Sequence, residues 1–335
     1  MGKTLAYYND FRLLKAKVTE AGLFEYYPLN EMIRIFSLII LYLISLYIIV
    51  SFNNLLIQIF NAIFFALVYV QILFVIHDSG HQQIFPNKKT NNFVGMMFAS
   101  LLTGNSYTWW VPKHNKHHIS PNIEGEDPDI NFDWIAFSEE QALRKKGFSR
   151  FITKYQAYLF FPLTMLESLN LRKSAVQYFI IDKKINSLEF LLFLLHFVIY
   201  FGMLFSYLDT KIAIIFIIIH QFLFGLLISS AFATNHKGME IFDKENNLNY
   251  VKLQVITARN VRSNWFTDFW FGGLNFQIEH HLFPSIPRKN FRKVQKIVKK
   301  FCREKSISYE ETGMVQSYRD LLLHFHEVGR VLRTS

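Results

Sequence analysis

"LLIQIFNAIFFALVYVQILFVIHDSGH", residues 55–81, decides how this chain folds. Residues 55–76 carry no charged side chain, and they supply the roughly 20 apolar residues that an α-helix needs to cross a bilayer. His77 and His81 follow directly, at i and i+4, which puts both rings on one helical face. One segment thus predicts a membrane crossing that delivers two imidazoles to the membrane surface.

Three more runs have the same character: 33–50 ("IRIFSLIILYLISLYIIV"), about 188–208 and about 212–233. The runs pair through short links, "SFNN" (51–54) and "LDTK" (208–211). The expected fold is an all-α integral membrane protein. It has four transmembrane helices in two hairpins, and the rest of the chain forms a helical cap on the other side. The net charge is +10 from 36 Lys and Arg against 26 Asp and Glu. Nearly all the cations lie outside the short links, so the positive-inside rule puts the cap and both termini in the cytoplasm. This divides the chain into a cytoplasmic arm (1–30), a membrane domain (31–290) and a basic cytoplasmic tail (291–335).

"FVGMMFASLLTG" (93–104) is apolar but too short to span, and reads as an interfacial or re-entrant helix. The segment near 155–169 reads as a second interfacial element. "NFRKVQKIVKKFCREK" (290–305) is a basic amphipathic helix, expected to lie on anionic lipid headgroups. Basic residues interleaved with long apolar runs argue against a nucleic-acid partner. The arm is polar and of mixed charge, unlike a secretory leader. The one cysteine, Cys302, excludes an internal disulfide, a CxxCH haem site and a Cys-ligated iron–sulfur cluster. Electrons used by this chain are therefore expected from another protein.

The 12 histidines are grouped. "HNKHH" holds His114, His117 and His118, and "QIEHH" holds Gln277, His280 and His281, both with i, i+3, i+4 spacing. "TNHKG" adds His236 just past the fourth run. With His77 and His81, eight imidazoles share one side of the membrane. That exceeds the four ligands of a tetrahedral zinc and suits two transition metals with positions left open. Asp78 and Glu279, inside the motifs, are candidates to orient ligand rings by hydrogen bonds, with Asp127, Asp129 and Asp268 as further candidates. His196 and His220 lie inside spans and read as hydrogen-bonded core residues. A histidine-rich metal transporter fits less well, because transporters place ligands near the bilayer midplane.

"HDSGH", "HNKHH" and "QIEHH" resemble the three histidine boxes of the membrane fatty-acid desaturases. The resemblance runs from about residue 60 to 290. It implies a di-iron centre held by His77, His81, His114, His117, His118, His236, His280 and His281, with Gln277 completing the catalytic set. It also implies O2 as co-substrate and hydrogen removal from an unactivated CH2–CH2 of an acyl chain carried on lipid, coenzyme A or a carrier protein. Such a bond is beyond any side-chain acid or base, so the metal does the hard chemistry. The flanking sequences are similar to a bacterial acyl-lipid or acyl-CoA branch, and the glutamine of "QIEHH" is similar to front-end and sphingolipid desaturases. No HPGG haem motif is present, so the implied donor is a separate ferredoxin or cytochrome-type protein. A lipid hydroxylase on the same scaffold is the alternative. For the substrate mouth, Asn105, Trp109 and Trp110 of "NSYTWW" are candidates, with Arg259, Arg262 and Lys237 for the phosphates of coenzyme A, a carrier protein or a phospholipid headgroup.

Overall fold

A computed structural model describes residues 2–182, 186–244, 246 and 248–334, with side chains from residue 9 onward. The elements in chain order begin with α1 (Gly2–Glu20), α2 (Pro28–Ser51), α3 (Leu55–Gly80), α4 (Lys88–Met96) and α5 (Tyr107–Ile119). Next come α6 (Glu139–Arg144), α7 (Gly147–Lys154), α8 (Gln156–Thr164), α9 (Glu167–Val176), α10 (Ser187–Tyr207) and α11 (Thr210–His236). The remainder are α12 (Tyr250–Ile256), β1 (Asn260–Val261), α13 (Trp265–Trp270), α14 (Gln277–Leu282), α15 (Phe291–Glu304), β2 (Glu311–Thr312) and α16 (Met314–Arg330). The chain forms two compact units.

The first unit comprises 26–112 and 161–230. Helices α2, α3, α10 and α11 are each long and apolar enough to cross a membrane. The first, second and fourth run past the predicted limits, because the polar residues at their ends continue the backbone ladder. Pro28 opens α2 without losing an intrahelical bond. Asn54 caps α3 by accepting from the amides of Leu56 and Ile57 at 3.1 and 3.2 Å. Several polar side chains within the apolar spans pair with one another or with backbone carbonyls, as a bilayer favours. Ser45 donates to Asn61 at 2.8 Å, and Gln58 donates to the carbonyls of Ile48 and Phe52. Outward positions such as Leu43, Ile44, Phe60 and Leu195 are exposed and apolar, the surface expected against lipid.

Stretch 93–104 ends α4 and then forms a wider turn, Met97–Leu102, with Phe98, Ala99 and Ser100 buried. Beyond it, Gly104 has φ +64°, and a Cβ there would sit 2.4 Å from the His196 ring, so glycine alone fits. α5 then begins against Glu189, a fully buried residue in the first turn of α10. The Glu189 carboxylate accepts from the amides of Tyr107 at 2.6 Å and Thr108 at 3.1 Å. It also accepts from the hydroxyls of Ser106, Ser100 and Thr108. No intrahelical partner exists for the first amides of a helix, and a negative charge there is favoured by the helix dipole. A side chain from another helix thus anchors the start of α5.

The second unit comprises residues up to Glu25, 113–160 and 231–335. Its core packs Leu14 and Val18 of α1 against Val294, Val298, Phe301 and Cys302 of α15, with Val251 and Val255 of α12 and Ile278 and Leu282 of α14. This corrects the expectation for residues 290–305. The helix is amphipathic, but its apolar face is buried against protein and so is not available to headgroups. Only its basic face is outward. β1 and β2 pair in parallel, Asn260 with Glu311 and Val261 with Thr312, and fix the strand that precedes α13 and α14.

Candidate metal centre

Three segments of the second unit deliver imidazoles: the last turns of α5, the end of α11, and α14. α5 carries His114, His117 and His118, α11 ends on His236, and α14 carries Gln277, His280 and His281. All are buried. Adjacent residues on a helix point about 100° apart at 3.6 residues per turn, so each i, i+3, i+4 set divides rather than serving one point. His117, His236 and His281 converge, with one ring nitrogen from each lying within 4.8 Å of the others. His114, His118 and His280 form a second convergence within the same limit. In the other unit, His77 and His81 stand together at the end of α3, ring centres 4.7 Å apart.

The hydrogen bonds of the first convergence assign its tautomers. His117 Nδ1–H donates to Asp127 at 2.9 Å. His236 Nδ1–H donates to the carbonyl of Thr257 at 2.8 Å. His281 Nδ1–H donates to Gln254 Oε1 at 2.9 Å. The Gln254 amide is itself oriented, because its Nε2 donates to the carbonyl of His118. Each ring therefore spends its proton on Nδ1 and turns a bare Nε2 lone pair inward. These lone pairs face one another at 3.3 Å (His117–His236) and 2.9 Å (His236–His281). No proton remains to bridge them, and mutually facing lone pairs repel. A cation between them resolves the repulsion, which is the fit expected of neutral imidazole ligands held by outer hydrogen bonds. Burial and the rings of His118, His236, His117 and His280 hold His281 well below the usual imidazole range, so it stays neutral.

Asp127 is rigid in turn. It accepts from the amides of Asn122 and Asp129, both at 2.8 Å. Asn122 also ties the end of α11 to the chain beyond it, donating to the carbonyls of His236 and Glu240. Gln277 lies beside this convergence. Its Nε2 is 2.9 Å from His236 Nε2, and its Oε1 accepts from Asn235. In this arrangement the amide presents N–H rather than oxygen to His236.

The other candidates sit as follows. Asp78 pairs with Arg34 at 2.8 Å and is 3.5 Å from His77 Nδ1. Glu279 is held by Asn260 and Tyr309, and burial pushes its carboxyl up to about 7. Asp129 pairs with Lys113, and Asp268 with Ser263, Asn275 and Arg292. Asn105 folds back on Thr103, and the Trp109 amide donates to Ser106. Trp110 lies beside His77, ring centres 5.8 Å apart. Arg259 is buried and bonded to the carbonyls of Thr234 and Lys237 and to Asp320. Lys237 donates to the carbonyl of Asp129, and the Arg262 amide joins the strand pair. Sequence reasoning missed Gln254, Thr257, Asn122 and Asn235.

Residues 54–313 match the fatty acid desaturase family, and the chain belongs to it. It is 28% identical over 336 residues to the acyl-lipid (9-3)-desaturase of Physcomitrium patens, a match covering 96% of this chain and 63% of that protein. It is 28% identical over 318 residues to the Delta(8)-fatty-acid desaturase of Euglena gracilis, covering 90% and 74%. It is 30% identical over 278 residues to the Delta(6)-fatty-acid desaturase fat-3 of Caenorhabditis elegans, covering 78% and 61%. The chain therefore spans less than two thirds of the moss and nematode proteins. The family expected from the three histidine motifs is borne out.

Proposed function

We propose that this chain is an O2-dependent, membrane-bound acyl desaturase of front-end type. The observation that carries the reading is the convergence of three Nε2 lone pairs from His117, His236 and His281, each ring locked by an acceptor on Nδ1. The proposed donor set of two irons is His77, His81, His114, His117, His118, His236, His280 and His281. When bound, the metals supply the O2 activation that no side chain can perform. The balance is –CH2–CH2– + O2 + 2 e⁻ + 2 H⁺ → –CH=CH– + 2 H2O, with both electrons from a ferredoxin or cytochrome-type protein. The protein's own part is to fix the rings and to exclude water by burial, which also lowers the proton affinity of His281. Gln277 adds an N–H donor beside His236.

The proposed topology is two hairpins, α2–α3 and α10–α11, with the histidine-bearing cap and both termini in the cytoplasm. The substrate is an acyl chain on lipid, coenzyme A or carrier protein. Front-end selectivity is supported by the names of the relatives and by Gln277. The test is expression in a host with simple lipids, followed by double-bond localisation in its fatty acids. A new double bond on the carboxyl side of an existing one is expected. Products heavier by one oxygen would make the chain a hydroxylase. An unchanged profile from iron-loaded protein with a working donor would overturn the reading.

A further inference from the structure

The second unit carries an exposed cationic row. Lys293, Lys296, Lys300 and Arg303 occur at i, i+3, i+7 and i+10 along α15, and all are exposed. That spacing makes one stripe, opposite the face formed by Phe291, Val294, Val298, Phe301 and Cys302. Lys17 of α1 extends the stripe across a groove that Lys296 and Lys300 also line. Two anions lie nearby: Glu20 lines the same groove, and Glu304 is shared, 3.1 Å from Lys17 and 4.0 Å from Lys300. The cations therefore outnumber the anions, and the surface attracts a negatively charged partner.

Two observations identify that partner. First, the apolar face of α15 is consumed in the core. An interfacial helix inserts such a face into the headgroup boundary, and α15 has none to insert. Second, the buried face of the same helix touches the candidate centre. The Phe291 ring is 6.0 Å from the ring of His280. One helix, about 10–12 Å across, thus separates the cationic row from an imidazole of the centre.

We propose that Lys293, Lys296, Lys300 and Arg303, with Lys17, form the docking face for an acidic electron-carrier protein, whose electrons enter through α15 at Phe291 and His280. This rests on the desaturase reading above, which requires two electrons per turnover from a protein donor. Opposite charges steer such encounters and raise the association rate, and a short path behind the docking face gives the encounter its use.

The test uses the full chain in phosphatidylcholine nanodiscs. Binding of an acidic plant-type ferredoxin and of an acidic soluble cytochrome domain is measured directly, without turnover. In Lys293→Glu/Lys296→Glu/Lys300→Glu/Arg303→Glu, affinity for at least one donor falls by more than about tenfold at low salt, and wild-type affinity falls as salt rises. Reduction of the iron by the photoreduced donor slows with it, while reduction by dithionite and iron content do not change. Lys293→Gln/Lys296→Gln gives an intermediate loss and covers a reversal variant that fails to fold. Lys88→Glu/Lys89→Glu, on another exposed pair, changes nothing. Unchanged donor binding in the reversal variant overturns the proposal. So does a loss confined to vesicles containing phosphatidylserine, or to acyl carrier protein. If dithionite-reduced wild type forms no product, the desaturase reading fails, and the binding result still decides the docking face.

Discussion

Buried histidines occur in both units, and their wiring differs. In the membrane-spanning unit, His196 Nδ1–H donates to the carbonyl of Leu101 at 2.9 Å, and the ring stacks on Tyr200. His220 Nδ1 receives the Tyr200 hydroxyl at 2.8 Å and the Gln221 amide at 3.1 Å, and its ring stacks on Phe65. These imidazoles meet complementary groups through Nδ1 and rest on aromatic faces, and among the described residues the buried Nε2 of His220 faces no other ring nitrogen within hydrogen-bond distance. In the other unit, His117, His236 and His281 put their protons on outer acceptors and turn lone pairs toward one another. Burial does not separate the two kinds, since all five rings are buried. The direction in which the second nitrogen points does.

The largest effect that tests this contrast is removal of a converging ring. His117→Ala, His236→Ala or His281→Ala should abolish product and lower iron per chain by metal analysis. Full iron content in any of them would break the distinction. Next is the outer layer. Asp127→Asn or Gln254→Leu should cost about 10–100-fold in metal affinity or activity, read by competition with a chelator. At Gln277 the expected order of turnover is wild type, then Gln277→His with part of the activity, then Gln277→Ala with little. Full activity in Gln277→Ala would place that amide outside the centre.

Smaller effects are expected in the membrane-spanning unit. Glu189→Ala leaves the first amides of α5 without their acceptor, at about 1–3 kcal/mol for each buried group left unsatisfied. It should lower the melting temperature, and Glu189→Gln should recover part of that loss, since one oxygen can still accept. His220→Asn should be the mildest. Iron content stays at the wild-type level, with a stability change of about 1–3 kcal/mol. Loss of iron in His220→Asn would show that the two kinds of histidine are coupled.

Much of this was legible in the chain itself. The four apolar runs and the three histidine motifs follow from local pattern, and local pattern is what a sequence displays directly. The division of each i, i+3, i+4 set was legible too, since adjacent residues diverge on a helix, but it becomes visible only when His236 arrives between His117 and His281. The outer layer was not legible. Thr257 contributes a carbonyl, which every residue has. Gln254 acts because its two ends meet His281 and the His118 carbonyl, and neither contact is near it in sequence. Glu189 falls within the third apolar run, and only the placement of α5 reveals it as an anchor. α15 shows the opposite failure. Its amphipathic pattern was plain, but pattern does not say whether lipid or α1 covers the apolar face.

The spacing of the converging rings along the chain also sets an order in time. His117 and His236 are 119 residues apart, and His236 and His281 a further 45. A ribosome releasing this chain has emptied all four apolar runs into the membrane before the last ring is even synthesised. The three-ring convergence is therefore complete only after translation has passed His281. A chain truncated ahead of α14 would leave two of these three rings without their third.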